Sequence, residues 1–244
     1  MRLDWRTPYR YMFRDPDWKP KIFVGGLWLL LFPPIGWPVA LGYRKEALFA
    51  LVDGRRPLLP PWRRQTWRFL REGLKAEAVI LVYFLPFLGV FLCAATGGGA
   101  TLAAHATELA LFGAGVLLLL PICLPLLPPL YWYLFGWIHL SWPAMLAVGA
   151  LFWTTTFLMP AAFLQVSLTR RFPAAFRIDR VLTFVAGNLA AYLEAWAISI
   201  VATAIELALG PGAPWGIFWS YLVIVHAFNE ALTAGRGYYR DSER

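Results

Sequence analysis

All 22 Lys and Arg residues of this 244-residue chain fall into four blocks, and that confinement limits the available folds more than any other feature. Residues 1–21 hold six of them, 44–75 nine, 170–180 four and the tail from Arg236 three, while 76–169 and 181–235 hold none. The chain is 59% hydrophobic and only 15% charged, against about 25% charged in an average soluble domain. One soluble core could not hide that much apolar surface. Short cytoplasmic loops collect Lys and Arg. The sequence therefore predicts an all-α integral membrane protein, multi-pass in the cell (cytoplasmic, inner) membrane, with four basic blocks and both termini inside. A soluble enzyme, a disordered tail and a disulfide scaffold are excluded. The net charge of +8 then marks topology. No nucleic-acid motif accompanies it, so nucleic acid is not expected as a partner.

If every block returns to one face, each stretch between blocks crosses an even number of times. Residues 22–43 are too few for two spans at about 1.5 Å per residue. Their centre, Phe32-Pro33-Pro34-Ile35-Gly36-Trp37-Pro38, also breaks a helix. A re-entrant hairpin turning at Pro33-Pro34 and covered by protein satisfies both facts, with a kinked single span as the alternative. Further segments fall at 76–96, 108–136, 144–169, 181–209 and 215–234. The 108–136 segment carries Pro121, Pro125, Pro128 and Pro129 and reads as broken, entering from the outer side and returning there. Gly210-Pro211-Gly212-Ala213-Pro214 reads as a short outer turn. The expectation is one polytopic membrane domain over 1–244, with about four full spans plus two Pro-broken re-entrant segments, or six spans if those cross. Residues 235–244 form a short mobile cytoplasmic tail.

The block at 44–75 reads as a basic amphipathic cytoplasmic loop. Within it, 62–75 plots as a helix lying in the membrane plane. Arg64, Arg68, Arg71 and Lys75 share one arc, and Trp62, Trp67, Phe69, Leu70 and Leu74 lie opposite. That pattern suits contact with a lipid bilayer whose inner leaflet is anionic. The positive-inside rule accounts for it without specific headgroup recognition.

Ionisable groups inside spans are costly and mark function by default. Glu77, Glu108 and Glu206 lie at segment ends, where headgroup water reaches them. Glu194, thirteen residues into its span, is expected near mid-bilayer. Asn188, Tyr192, Ser199, Thr203 and Glu206 form a stripe on the same helix, and His226, Asn229, Glu230 and Thr233 form one on the next. Antiparallel pairing sets Asn188 level with His226 and Glu194 level with Tyr221. The candidate intramembrane polar site is thus Glu194, Asn188, Tyr192, Tyr221, His226, Asn229 and Glu230. The structural alternative is interhelical hydrogen bonding, about 0.6 kcal/mol per bond.

His226 with Glu230, or His105 with Glu108 and His139, supply too few ligands for a metal expectation. Cys93 and Cys123 read as small buried hydrophobes. No nucleophile signature or phosphate-binding glycine loop occurs. No catalytic residue and no cofactor is assigned.

Gly25-Gly26-Leu27, Pro33-Pro34-Ile35-Gly36, Leu41-Gly42-Tyr43, Asp53-Gly54, Leu59-Pro60, Trp62, Trp67, Phe69 and Gly73-Leu74 resemble DUF 4013, a bacterial and archaeal membrane-domain family of unknown function. Arg171-Phe172, Ala174-Ala175-Phe176-Arg177, Asn188 with Tyr192, and His226 near Tyr238 look like its second half. The resemblance implies a polytopic membrane fold and carries over no catalytic or ligand-binding role. Two functions are then expected to compete. One is a non-enzymatic accessory, assembly or scaffold subunit with partner membrane subunits. The alternative is a small transporter or channel-like protein with a polar path between the last two helices.

Overall fold

The computed structural model describes residues 3–31, 33–55, 58–63, 65–96 and 142–242. Among these residues every regular element is helical, as expected. The α-helices are α1 (Thr7–Arg10), α2 (Trp18–Leu31), α3 (Pro33–Val52), α4 (Thr66–Thr96), α5 (Trp142–Thr169), α6 (Ile178–Gly187), α7 (Leu189–Ala208) and α8 (Ala213–Ser242). Short 3-10 turns occupy Tyr11–Arg14, Phe172–Phe176 and Gly210–Gly212. The expected broken segment at 108–136, the linker with Gly97, Cys123, His105, Glu108, His139 and Arg64 all lie outside the described residues. Among the described residues, two stretches are long and apolar enough to cross a membrane: Leu146–Thr169 within α5, mean hydropathy 1.6, and α7, mean hydropathy 1.4.

The chain divides into two compact units, Met1–Glu77 with Pro160–Arg244, and Ala78–Met159. In the second, Phe84, Phe87 and Phe152 meet edge-on at 5.2–6.0 Å between centroids, the geometry that ring quadrupoles favour.

In the first unit α8 is the central helix. From Gly216 to Asn229 every residue is buried except half-buried Trp219, because α7, α2, α3 and the N-terminal segment all pack on it. That sheath explains how a helix carrying Ser220, His226 and Asn229 sits at the core. Gly25 and Gly26 of α2 leave room for the Phe218 ring and the Trp215 indole. The expected turn at Pro33-Pro34 is present: α2 ends at Leu31, α3 starts at Pro33, and the two pack together with Gly36 against the Trp28 carbonyl. Proline in a first helical turn forfeits only an N–H that has no partner there.

Several expected boundaries are corrected. The hairpin does not end at Tyr43. With no breaker after Pro38, α3 runs on through Arg44 and Lys45 to Val52. There is no separate in-plane helix over 62–75. Trp62 precedes the helix, turned inward onto Tyr43 at 4.4 Å and Phe69 at 5.5 Å, with its indole N–H donating to the Lys21 carbonyl. Residues 66–75 are the first turns of the 31-residue α4. The segment at 181–209 is not one clean span but breaks at Asn188, whose side-chain amide donates to the Phe184 carbonyl at 2.9 Å. Residues 235–242 of the expected tail are the last turns of α8.

The N-terminal block packs on the helices. The Tyr9 hydroxyl donates to the Ile198 carbonyl at 3.0 Å and the Tyr11 hydroxyl to the Leu222 carbonyl at 3.2 Å, so this segment straps across α7 and α8. Its far end is clamped by a buried ion pair. Lys21 Nζ lies 2.8 Å from Asp15 Oδ1 and donates to the Leu59 carbonyl, while the Leu59 N–H donates back to Asp15. Burial pushes the Asp15 carboxyl up, but the Lys21 ammonium and the N–H groups of Leu59 and Asp17 outweigh it and hold it below its ordinary value.

Candidate functional site

Helix α7 turns its polar stripe inward. Asn188, Tyr192, Ser199, Thr203 and Glu206 are all buried, while Leu189, Leu193, Ile200, Val201 and Ile205 are 41–52% exposed. The expected stripe is therefore real, and it faces protein. Ser199 donates to the Ala195 carbonyl, and the Tyr192 hydroxyl accepts from the Ala161 N–H on α5.

The pairing of α7 with α8 differs from the expected register. Glu206 bonds to Ser220, and both Tyr192 and Trp196 meet Phe228. Glu194 is thus level with the turn around Glu230, about two turns from Tyr221, and Asn188 lies beyond His226. The 3-10 turn at Gly210–Gly212 sets this offset, since it starts α8 at Ala213. Glu206 also departs from expectation. Rather than reaching headgroup water it is 0% exposed, sealed between the helices by Ser220.

The seven candidate residues separate into distinct places. Glu194 is half-buried, and its carboxylate accepts from the Leu3 N–H at 2.6 Å. His226 stacks on Tyr11 at 4.4 Å between centroids, with Nδ1 3.4 Å from Glu230 Oε1 one turn on. Asn229 is buried beside them. Asn188 and Tyr192 face Phe184, the Tyr192 ring lying 6.2 Å from it. Tyr221 lies on another side of α8, under the Arg44 guanidinium at 5.3 Å. The N-terminal strap thus joins Glu194 and the His226–Glu230 pair, and Tyr221 belongs to the α3 side. No group of three metal-ligating side chains occurs among the described residues.

The basic surface also reads differently residue by residue. Trp67 is 75% exposed, and Arg71 points outward. Arg68 instead holds both Glu46 oxygens at 2.9 and 3.0 Å, tying α4 to α3. Lys75 and Lys45 both reach Glu72 at 2.7 Å. Burial pushes the Glu72 carboxyl up, but those two ammonium groups outweigh it and bring it down to about 2. A carboxyl lowered on folding adds stability above its ordinary value near 4.5 and loses it as pH falls toward 2. Glu72→Gln should therefore melt below the wild type at pH 7. The gap should close between pH 4.5 and 2 when thermal unfolding in detergent is followed at stepped pH.

Sequence reasoning missed Asp15–Lys21, Glu206–Ser220 and the setting of Arg44. The first two join residues across a loop or a helix pair, where only tertiary structure sets the partner. Arg44 became legible only once α3 was seen to run past Tyr43.

Together these features define a protein that is all-helical over the described residues, with inward-facing polar groups and outward-facing apolar ones on α7. The chain belongs to the family described as Protein of unknown function (DUF4013), whose family model matches residues 25–211. No curated protein and no solved structure matches it.

Proposed function

We propose that this chain is a multi-pass component of the cell membrane that works by association, as a non-enzymatic accessory, assembly or scaffold subunit. The carrying observation is the inverted face of α7, with polar groups inside and Leu189, Leu193, Ile200, Val201 and Ile205 outside. A water-facing helix distributes these groups the other way round. Lipid solvates the exposed face, and interhelical bonds satisfy the buried one. Contacts between basic blocks favour the one-sided topology. Arg170 pairs with Asp53 at 2.5 Å, and Lys21 with the Leu59 carbonyl, which brings the first three blocks together. On this reading the α2–α3 pair is the re-entrant hairpin, the basic blocks are cytoplasmic, and Trp67 and Arg71 contact the anionic leaflet.

The polar groups of α7 are largely spent on packing, which favours association over conduction. Purification of the full chain in mild detergent should recover a stoichiometric membrane partner by mass spectrometry. Recovery of a lone particle refutes the scaffold reading. Extraction of the chain from membranes by alkaline carbonate refutes membrane integration.

A transport reading has one observation in its favour. His226 Nδ1, Asn229 Oδ1 and Glu230 Oε2 are buried without hydrogen bonds within about one turn of α8. In proteoliposomes Glu194→Gln should leave ion flux unchanged under the scaffold reading and abolish it under transport.

A further inference from the structure

Arg44 stands apart from the other described basic residues of α3 and α4. Lys45 pairs with Glu72 and Arg68 with Glu46, whereas the Arg44 guanidinium meets the Tyr221 ring and no carboxylate among the described residues. It lines a cleft of about 40 Å3 together with Lys45 and Ser167, a few times the space one water needs. The rest of the wall is apolar, including Leu48, Phe163 and Phe228. A half-buried guanidinium without a counter-ion is costly unless an anion completes it. Of the two cations that line the cleft, Lys45 is paired with Glu72, which Lys75 also holds, and Arg44 is not paired, so the local charge is positive. An anionic head meets the cation, and an aliphatic segment meets the wall.

We infer that the cleft between α3, α5 and α8 holds an anionic phospholipid, its phosphate on Arg44 and its first methylenes against Phe163 and Phe228. This occupant rests on the membrane reading above, which supplies the lipid and lets the remaining chains lie in the bilayer. Guanidinium matches phosphate as a planar fork of donors, and the Tyr221 ring beneath holds it in place. The site differs from the exposed basic arc of α4, where Arg71 offers only diffuse attraction.

The test uses the full chain in neutral detergent, with thermal unfolding and native mass spectrometry as readouts. Mixed micelles of phosphatidylglycerol are compared with phosphatidylcholine of identical chains, and with inorganic phosphate alone. Phosphatidylglycerol should bind about fivefold more tightly than phosphatidylcholine, the effect of one basic side chain near an anionic lipid. Arg44→Gln should erase that preference, Arg44→Lys should keep most of it, and the exposed Arg71→Gln, which removes only a diffuse surface attraction, should lower it far less than Arg44→Gln. No preference in the wild type overturns the proposal. So does equal loss in Arg71→Gln, which makes the attraction a general surface charge, or full protection by phosphate alone, which makes it a free-anion site. The micelle assay and the carbonate extraction fail separately: an extractable chain that still selects phosphatidylglycerol keeps the cleft and loses the membrane reading.

Discussion

Asp15→Ala should destabilise the protein by about 3–5 kcal/mol, the range for breaking one partner out of a buried ion pair. Asp15 and Lys21 are 2% and 7% exposed. Removing the carboxylate leaves the Lys21 ammonium with one carbonyl, that of Leu59, and strips the N–H groups of Leu59 and Asp17 of their acceptor. The double variant Asp15→Leu/Lys21→Met should recover part of the loss, since it removes the stranded charge. It cannot recover the two backbone bonds. The Asp15 carboxyl is held below its ordinary value, so its stabilisation is present above that value and fades as pH falls through the lowered one. Thermal melts in detergent check both effects, and the wild type should lose more stability on acidification than Asp15→Ala. A melting point for Asp15→Ala equal to that of the wild type would show the clamp to be energetically idle.

Gly73→Ala and Gly42→Ala should each cost about 3 kcal/mol or more, above the usual 1–3 for overpacking. A Cβ at Gly73 lands on the Pro38 carbonyl, and one at Gly42 lands on the Phe69 carbonyl. Both obstacles are backbone, so no rotamer change relieves them and α3 must separate from α4. Separation also opens the cluster of Tyr43, Trp62, Phe69 and Phe218, whose rings lie 4.4–5.9 Å apart. Gly212→Ala is the control, its Cβ meeting only Leu209 Cβ at 3.6 Å. Comparable melts for Gly73→Ala and Gly212→Ala would remove close α3–α4 contact as a stability determinant.

The parts of the fold legible in the sequence were those written in local periodicity or in backbone chemistry. Pro33-Pro34 marked the break between α2 and α3, Gly210-Pro211-Gly212 marked the turn into α8, and the α7 stripe followed from 100° per residue. What escaped depended on tertiary partners. Trp62 looked like an interfacial side chain because a Trp beside Arg residues suits a membrane surface, yet Tyr43 and Phe69 cover it. Glu206 looked solvated because it is near a helix end, yet Ser220 comes from the facing helix. The register of α7 on α8 moved because hydropathy fixes which face is buried and says little about sliding along the axis. Of the candidate site, the pattern put His226 and Glu230 on one helix face, and they lie 3.4 Å apart. It could not foresee that Tyr221 would lie on the α3 side of α8, under Arg44.

The strap from Leu3 to Tyr11 docks on residues 194–222, which the ribosome makes almost two hundred positions later. During synthesis those residues have no binding surface until α7 and the first half of α8 have been made. Docking therefore follows the making of its partners, and a product stopped before α7 lacks this latch.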